Sequence, residues 1–300
     1  MESWIAATLA AVIFQTARFA LQKRLKSAGL SAAGATWARF LWSAPLLLIG
    51  GLCWLAATGT TLPPVTAGFW VWGLTGGVAQ ILATICVVAL FSRRNFAVGI
   101  TLKKSEVLMT ALVGWILLAE PVSRAGLAAL LLGAVALMVL SREPAAVRSG
   151  LHGFLTPSAA LGLTSGIFFA LAGVGYRGAM LALGEGPTGG RAVLALTLVS
   201  LAQMLLMLGW FAWRDRAEIG RVLAAWRPGL ALGLASMAGS FFWFIAFALQ
   251  NAAYVYAVGQ VELIFGMIGG AVFFGERLSR REVAGAALLT ASVLALVLVT

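Results

Sequence analysis

Residues 91–124 read FSRRNFAVGITLKKSEVLMTALVGWILLAEPVSR, and residues 247–280 read FALQNAAYVYAVGQVELIFGMIGGAVFFGERLSR. The two stretches align without a gap at an offset of 156 residues. Phe91 meets Phe247, Asn95 meets Asn251, Glu106 meets Glu262, Glu120 meets Glu276, and Ser123-Arg124 meets Ser279-Arg280. In each copy the first Glu interrupts an apolar run. A hydrophobic half-chain repeated with one carboxylate in the middle of each copy is the pattern of membrane transporters assembled from two repeats.

Composition points the same way. The chain is 61% hydrophobic and 10% charged, against roughly 25% charged in soluble domains. With about 20–25 residues per span, ten membrane helices fit in 300 residues. Apolar runs at 4–22, 32–57, 67–91, 96–119, 125–141, 154–182, 191–213, 229–249, 253–274 and 282–299 supply them. The expected fold is therefore an all-α integral membrane protein. Residues 1–141 form a first five-helix repeat, 142–153 a polar linker, and 154–300 a second five-helix repeat. Weaker matches extend the duplication to the flanking spans: Lys23 falls opposite Arg177, Arg39 opposite Arg191, and Gly126 opposite Gly285. An odd number of spans per repeat makes the second enter the bilayer from the opposite side, so the repeats are inverted.

The net charge of +11 reads as cytoplasmic loops and not as a nucleic-acid surface, because the basic residues sit in short connections between spans. Loops after odd-numbered spans hold fourteen Lys and Arg, and the other side holds only Arg124 and Arg191. That asymmetry places the odd loops in the cytoplasm and both termini outside a cell inner membrane. The first apolar run lacks a basic leader and reads as a retained helix. Cys53 and Cys86 lie in apolar runs and read as small core residues without a disulfide framework. One His, His152, and one Asp, Asp215, leave no metal cluster and no catalytic constellation; no cofactor is expected, and the chain is not read as an enzyme. A membrane-embedded transferase and a channel or scaffold are the readings from other classes.

Ionisable residues inside spans are where function is expected. Lys103, Lys104 and Glu106 fall in the middle of the fourth span. Lys103 and Glu106 are three apart on one helix face and can pair, whereas Lys104 points about 100° away. Glu262 is the repeat partner of Glu106, beside Gln260, with no basic neighbour in its own segment. It is the candidate proton carrier. Val255, Gly259, Glu262, Gly266 and Gly269 define a face that a second backbone can approach. Arg18, flanked by Gln15 and Gln22, either snorkels to the nearby loop or lines the cavity. Arg39 and Arg191 begin spans and read as interface anchors. Glu120 and Glu276 close helices, with Ser123 and Ser279 as caps for those that follow. Trp37, Trp42, Trp70, Trp72, Trp210 and Trp213 read as belt residues, and Trp243 and Tyr256 lie deeper.

The segments LLAEPVSRAGLAALLLGAVALMVL and FFGERLSRREVAGAALLTASVLALVL, together with the second span TWARFLWSAPLLL, resemble the paired signatures of the drug/metabolite transporter superfamily, EamA type. The resemblance covers nearly the whole chain. It implies ten helices in two inverted repeats and secondary transport of small metabolites through a central cavity. Glu106 and Glu262 stand where many members carry Pro, and Lys103-Lys104-Ser105-Glu106 is similar to the Lys-bearing fourth helix of branches with anionic substrates. The expected activity is alternating-access transport of a small metabolite bearing an anionic group. Lys103, Lys104, Glu106, Gln260 and Arg18 are the substrate-binding residues, and Glu262 couples a proton or an exchange substrate. The alternative is an exporter of cationic or neutral compounds, with both Glu residues facing the substrate.

Overall fold

The computed structural model describes residues 2–59, 61–90, 92, 103–141, 157–265 and 280–299. Among them the chain is helical, without strands. The helices are α1 (Ser3–Ser27), α2 (Ala32–Thr58), α3 (Ala67–Leu90), α4 (Glu106–Leu118), α5 (Arg124–Ser141), α6 (Pro157–Ala182), α7 (Thr188–Arg214), α8 (Arg216–Ala224), α9 (Trp226–Leu249), α10 (Ala252–Gly259) and α11 (Arg280–Val299). Six of them, α1, α2, α3, α6, α7 and α9, are 24–27 residues long and apolar enough to cross a bilayer. At 1.5 Å per residue the shortest reaches about 36 Å, against roughly 30 Å of hydrocarbon. Their outward faces carry large apolar side chains such as Ile49, Leu52, Val71, Leu206 and Leu234, as a lipid-facing surface requires. The predicted linker and the segments 93–102 and 266–279 lie outside the described residues, and with them His152, Gly266, Gly269, Glu276 and Ser279.

The most extensive packing joins α3 to α6, α1 to α9, and α5 to α11. The α3–α6 contact is close because both helices offer glycine there. A Cβ on Gly175 would lie 2.7 Å from the Gly76 Cα, and one on Gly178 would lie 2.6 Å from the Trp72 ring. Such small-residue seams let helices pack tightly where lipid offers no hydrophobic drive for association.

One connection ties the ends of several helices together. α8 is a short amphipathic helix whose Asp215 cap accepts from the Glu218 N–H. Its Glu218 is fully buried. It accepts from the Ser31 N–H at 2.8 Å and the Ser31 hydroxyl at 2.7 Å, and it pairs with Arg221. Ser31 in turn caps α2 by accepting from the Gly34 N–H. The α1–α2 turn and the α7–α9 connection therefore share one face of the bundle. A second knot joins α4, α6 and α9. Arg177 donates to Glu120 Oε1 at 2.7 and 3.0 Å and to Oε2 at 3.4 Å, and to the Phe247 and Ala248 carbonyls at the end of α9. Ser123 accepts from the Gly126 N–H and so caps α5.

Several expectations about single residues are corrected. Cys53 is exposed on the outer surface of α2, and Cys86 is half-buried. Trp37 is a core residue, 1% exposed, whose indole N–H donates to the Met204 carbonyl. Arg39 is not an interface anchor: it is 3% exposed and donates to the Ser240 hydroxyl at 3.1 Å. Arg191, by contrast, stays half-buried at the start of α7, where it donates to the Met180 and Gly184 carbonyls at the end of α6.

Candidate functional site

The Lys103–Glu106 segment is not an uninterrupted helix. Lys104 and Ser105 form a turn immediately before α4, and Gln260 and Val261 form a turn immediately after α10, before helix resumes at 262–265. The two breaks fall at equivalent positions of the 156-residue offset. At the second, Val261 donates to Val258 and Leu263 to Gln260, both three residues back. This tighter winding marks a local departure from α geometry, often found at functional hinges. Each break ends one residue before a Glu, which therefore opens the first turn of the next helical segment, where the exposed N–H dipoles favour negative charge. Gly166 of α6 makes room for the first break. A Cβ there would lie 2.9 Å from the Ser105 hydroxyl and 3.0 Å from the Lys103 carbonyl.

Two ion pairs result. Lys103 donates to Glu106 at 2.9 Å. Lys104 donates to Glu262 at 3.0 Å, joining the two duplicated segments. Lys103, Lys104 and Glu106 are only 4%, 5% and 4% exposed. The roughly 100° divergence expected for Lys104 is what sends it to the other carboxylate. The expectation that Glu262 lacks a cation is corrected: its cation arrives from the opposite segment. Gln15 also donates to Glu262, at 3.4 Å, and accepts from the Trp243 indole N–H at 3.1 Å and from Arg18 at 3.3 Å. Lys103 additionally lies over the Phe169 ring, 4.6 Å from its centre, a cation–π contact.

Both Glu residues and both Lys residues line one cavity, together with Gln15, Gln80, Tyr176, Ser240, Trp243 and Tyr256. Tyr256 donates to the Phe169 carbonyl. Tyr176 donates to Gln80, whose carbonyl also accepts from Gln203. The open space is about 20 Å³, room for one water molecule but not for a metabolite. The ion pairs and aromatic rings fill the rest.

The other candidates sit differently. Arg18 does not snorkel: it is 4% exposed, behind Gln15, with its guanidinium over the Phe19 ring. Gln260 is buried at the break, its carbonyl oxygen unpartnered among the described residues, and it does not line the cavity. Gly259 receives the Trp243 ring, 2.9 Å from where its Cβ would be, and not a second backbone. Gln80, Tyr176 and Ser240 escaped the sequence reading. They are uncharged residues in apolar helices, and only the fold collects them.

Residues 156–298 match the model of the EamA-like transporter family. A crystal structure of a protein 14% identical in sequence superposes with a TM-score of 0.67, over 99% of this chain and 98% of the other, which shows a shared fold. No match was found among curated proteins. Residues 156–298, just under half of the chain, are thus similar to the EamA-like transporter family, which lies within the drug/metabolite transporter superfamily.

Proposed function

We propose that the chain is a secondary transporter of the inner membrane that moves a small metabolite bearing an anionic group by alternating access. It is read as ten spans in two five-helix inverted repeats, 1–141 and 154–300, joined by 142–153. Packing supports the repeats: the first helix of each lies against the third of the other, as α1 on α9 and α3 on α6, while α5 lies on its counterpart α11. A pseudo-two-fold axis in the membrane plane generates such exchanged pairs.

The observation that carries the reading is the pair of equivalent helix breaks, each delivering a Glu to one cavity. Discontinuous helices meeting at the repeat interface are how transporters build midplane sites. Lys104–Glu262 joins the halves, so opening the cavity separates or reorients that pair. Substrate anion then replaces a carboxylate as partner of Lys103 or Lys104, and Glu262, once released, takes and gives up a proton.

One observation favours the alternative of a cationic or neutral substrate. Both lysines are already neutralised by carboxylates, as they would be if they only offset the two Glu residues. Counterflow in proteoliposomes tests both. Purified protein loaded with a mixture of small metabolites on one side should accumulate labelled substrate on the other, with no ion gradient imposed. Competition by organic anions supports the first reading. Competition by amines alone supports the second, and absence of counterflow for any solute refutes carrier function.

A further inference from the structure

Arg18 of α1 and Arg39 of α2 are both buried, at 4% and 3% exposed. Neither forms an ion pair with any carboxylate among the described residues. Among the described residues each has a single side-chain hydrogen bond, Arg18 to the Gln15 carbonyl at 3.3 Å and Arg39 to the Ser240 hydroxyl at 3.1 Å. Three of their nitrogens, Arg18 Nη1 and Arg39 Nε and Nη1, are buried with no partner among the described residues. The two guanidiniums lie within electrostatic reach of each other. Their rings, Phe19 and Phe40, supply cation–π contact but accept none of these N–H groups.

Glu106 and Glu262 pair with Lys103 and Lys104; Glu262 also lies within electrostatic reach of Arg18, bridged by Gln15, but no carboxylate among the described residues pairs with either arginine. Buried charges in proteins are normally paired, because an unpaired one forfeits its hydration. Two buried cations with unsatisfied donors inside a membrane bundle are placed to receive an anion.

Depth locates where it binds. Arg18 lies nine residues before the end of α1 and Arg39 seven residues after the start of α2, so both sit about 10–14 Å in from the α1–α2 turn. That turn belongs to the basic face that carries Lys23, Arg24, Lys26 and Arg221. Gln15 and Ser240, which hold the two guanidiniums, line the cavity itself. The pair is therefore set between the cavity and the basic face.

We propose that Arg18 and Arg39 form an oxyanion subsite that takes the carboxylate or phosphate group of the transported molecule on its way between the cavity and the basic face. Guanidinium forks match either group with paired hydrogen bonds. The subsite rests on the transporter reading, and it moves anion recognition from the lysines, which have carboxylate partners, to the arginines, which do not.

The test uses the full chain in lipid nanodiscs, with thermal unfolding followed against inorganic phosphate and, separately, acetate, each compared with chloride at equal ionic strength. A saturable rise in midpoint with phosphate or acetate is expected, and whichever acts names the group. Arg18→Gln and Arg39→Gln should each raise the half-saturating concentration about tenfold or more, the loss of one charge-assisted hydrogen bond. In anion-free buffer neither should unfold earlier than the unmodified chain, because each removes an uncompensated charge. If the Gln variants do not fold, Arg18→Lys and Arg39→Lys keep the charge, lose the fork, and should still weaken binding. A shift no greater than chloride gives, or unchanged half-saturation in both variants, overturns the subsite. Counterflow is measured in parallel. Persistence of counterflow without phosphate or acetate binding strikes the subsite and leaves the transporter. Failure of counterflow strikes the transport reading, while the titration still decides anion binding.

Discussion

Four neighbouring residues, Lys103 to Glu106, carry most of the site's electrostatics, and their consequences are separable by mutation. Removing one partner of a buried ion pair strands the other charge, typically at about 3–5 kcal/mol. Lys103→Ala and Lys104→Ala are each expected to lower stability by that order, measured by thermal unfolding in detergent or nanodiscs. Lys103→Ala with Glu106→Gln, and Lys104→Ala with Glu262→Gln, should recover most of the loss, since no lone charge remains. Transport should not recover in either double variant; normal transport in the first would make Lys103 and Glu106 a purely structural pair. Glu262→Gln alone is expected to cost stability as well, because it deprives Lys104 of its partner at 3.0 Å. It should abolish uptake or efflux driven by a pH gradient while leaving exchange measurable. Full gradient-driven transport by Glu262→Gln would end the proton-carrier role.

The elements around the site depend on close packing at the breaks. Gly166 admits the Lys103–Ser105 turn against α6. Gly166→Leu should therefore displace that turn and lower transport more than it lowers expression, whereas Gly209→Leu, at a position with open space around it, should leave both near normal. Comparable losses in the two variants would remove the special status of the break. Sequence pattern carried these elements unevenly. The long runs at 32–57 and 67–91 became α2 and α3 within a residue or two, because continuous hydrophobicity of bilayer length has few alternatives. The breaks at 104–105 and 260–261 left little trace. Lys104, Ser105 and Gln260 are all compatible with helix, and what bends the chain is tertiary: Gly166 on one side and the Trp243 ring over Gly259 on the other. The Lys104–Glu262 pair was hidden for a related reason. Its partners are 158 residues apart, and helical spacing relates only near neighbours.

At the scale of the whole molecule, orientation follows from which loops share a face. Glu218 accepts from the backbone and hydroxyl of Ser31, so the α1–α2 turn and α8 lie together. Both are rich in Lys and Arg, and the orientation proposed from the positive-inside rule sets that face in the cytoplasm. At the other end, Thr61–Pro64 and Leu183–Pro187 line a common surface cavity of about 440 Å³, so the α2–α3 and α6–α7 connections share the opposite face. The basic face is also where Glu218 performs a structural role. Glu218→Ala removes three charge-assisted hydrogen bonds from a fully buried carboxylate and should cost about 2–4 kcal/mol, read as a lowered unfolding midpoint. A cysteine pair reads the orientation directly. Cys53 is exposed, so Cys53→Ser with Cys86→Ser gives a silent background. In that background a cysteine at Ala217, exposed on α8, should resist an impermeant maleimide in intact spheroplasts and react after permeabilisation. A cysteine at Glu185, exposed on the opposite face, should react without permeabilisation. The reverse pattern places both termini inside and turns the basic face, with the arginine subsite beneath it, toward the exterior. The direction in which an anion meets Arg18 and Arg39 before the cavity depends on that outcome: entry from the cytoplasm suits export, and entry from outside suits uptake.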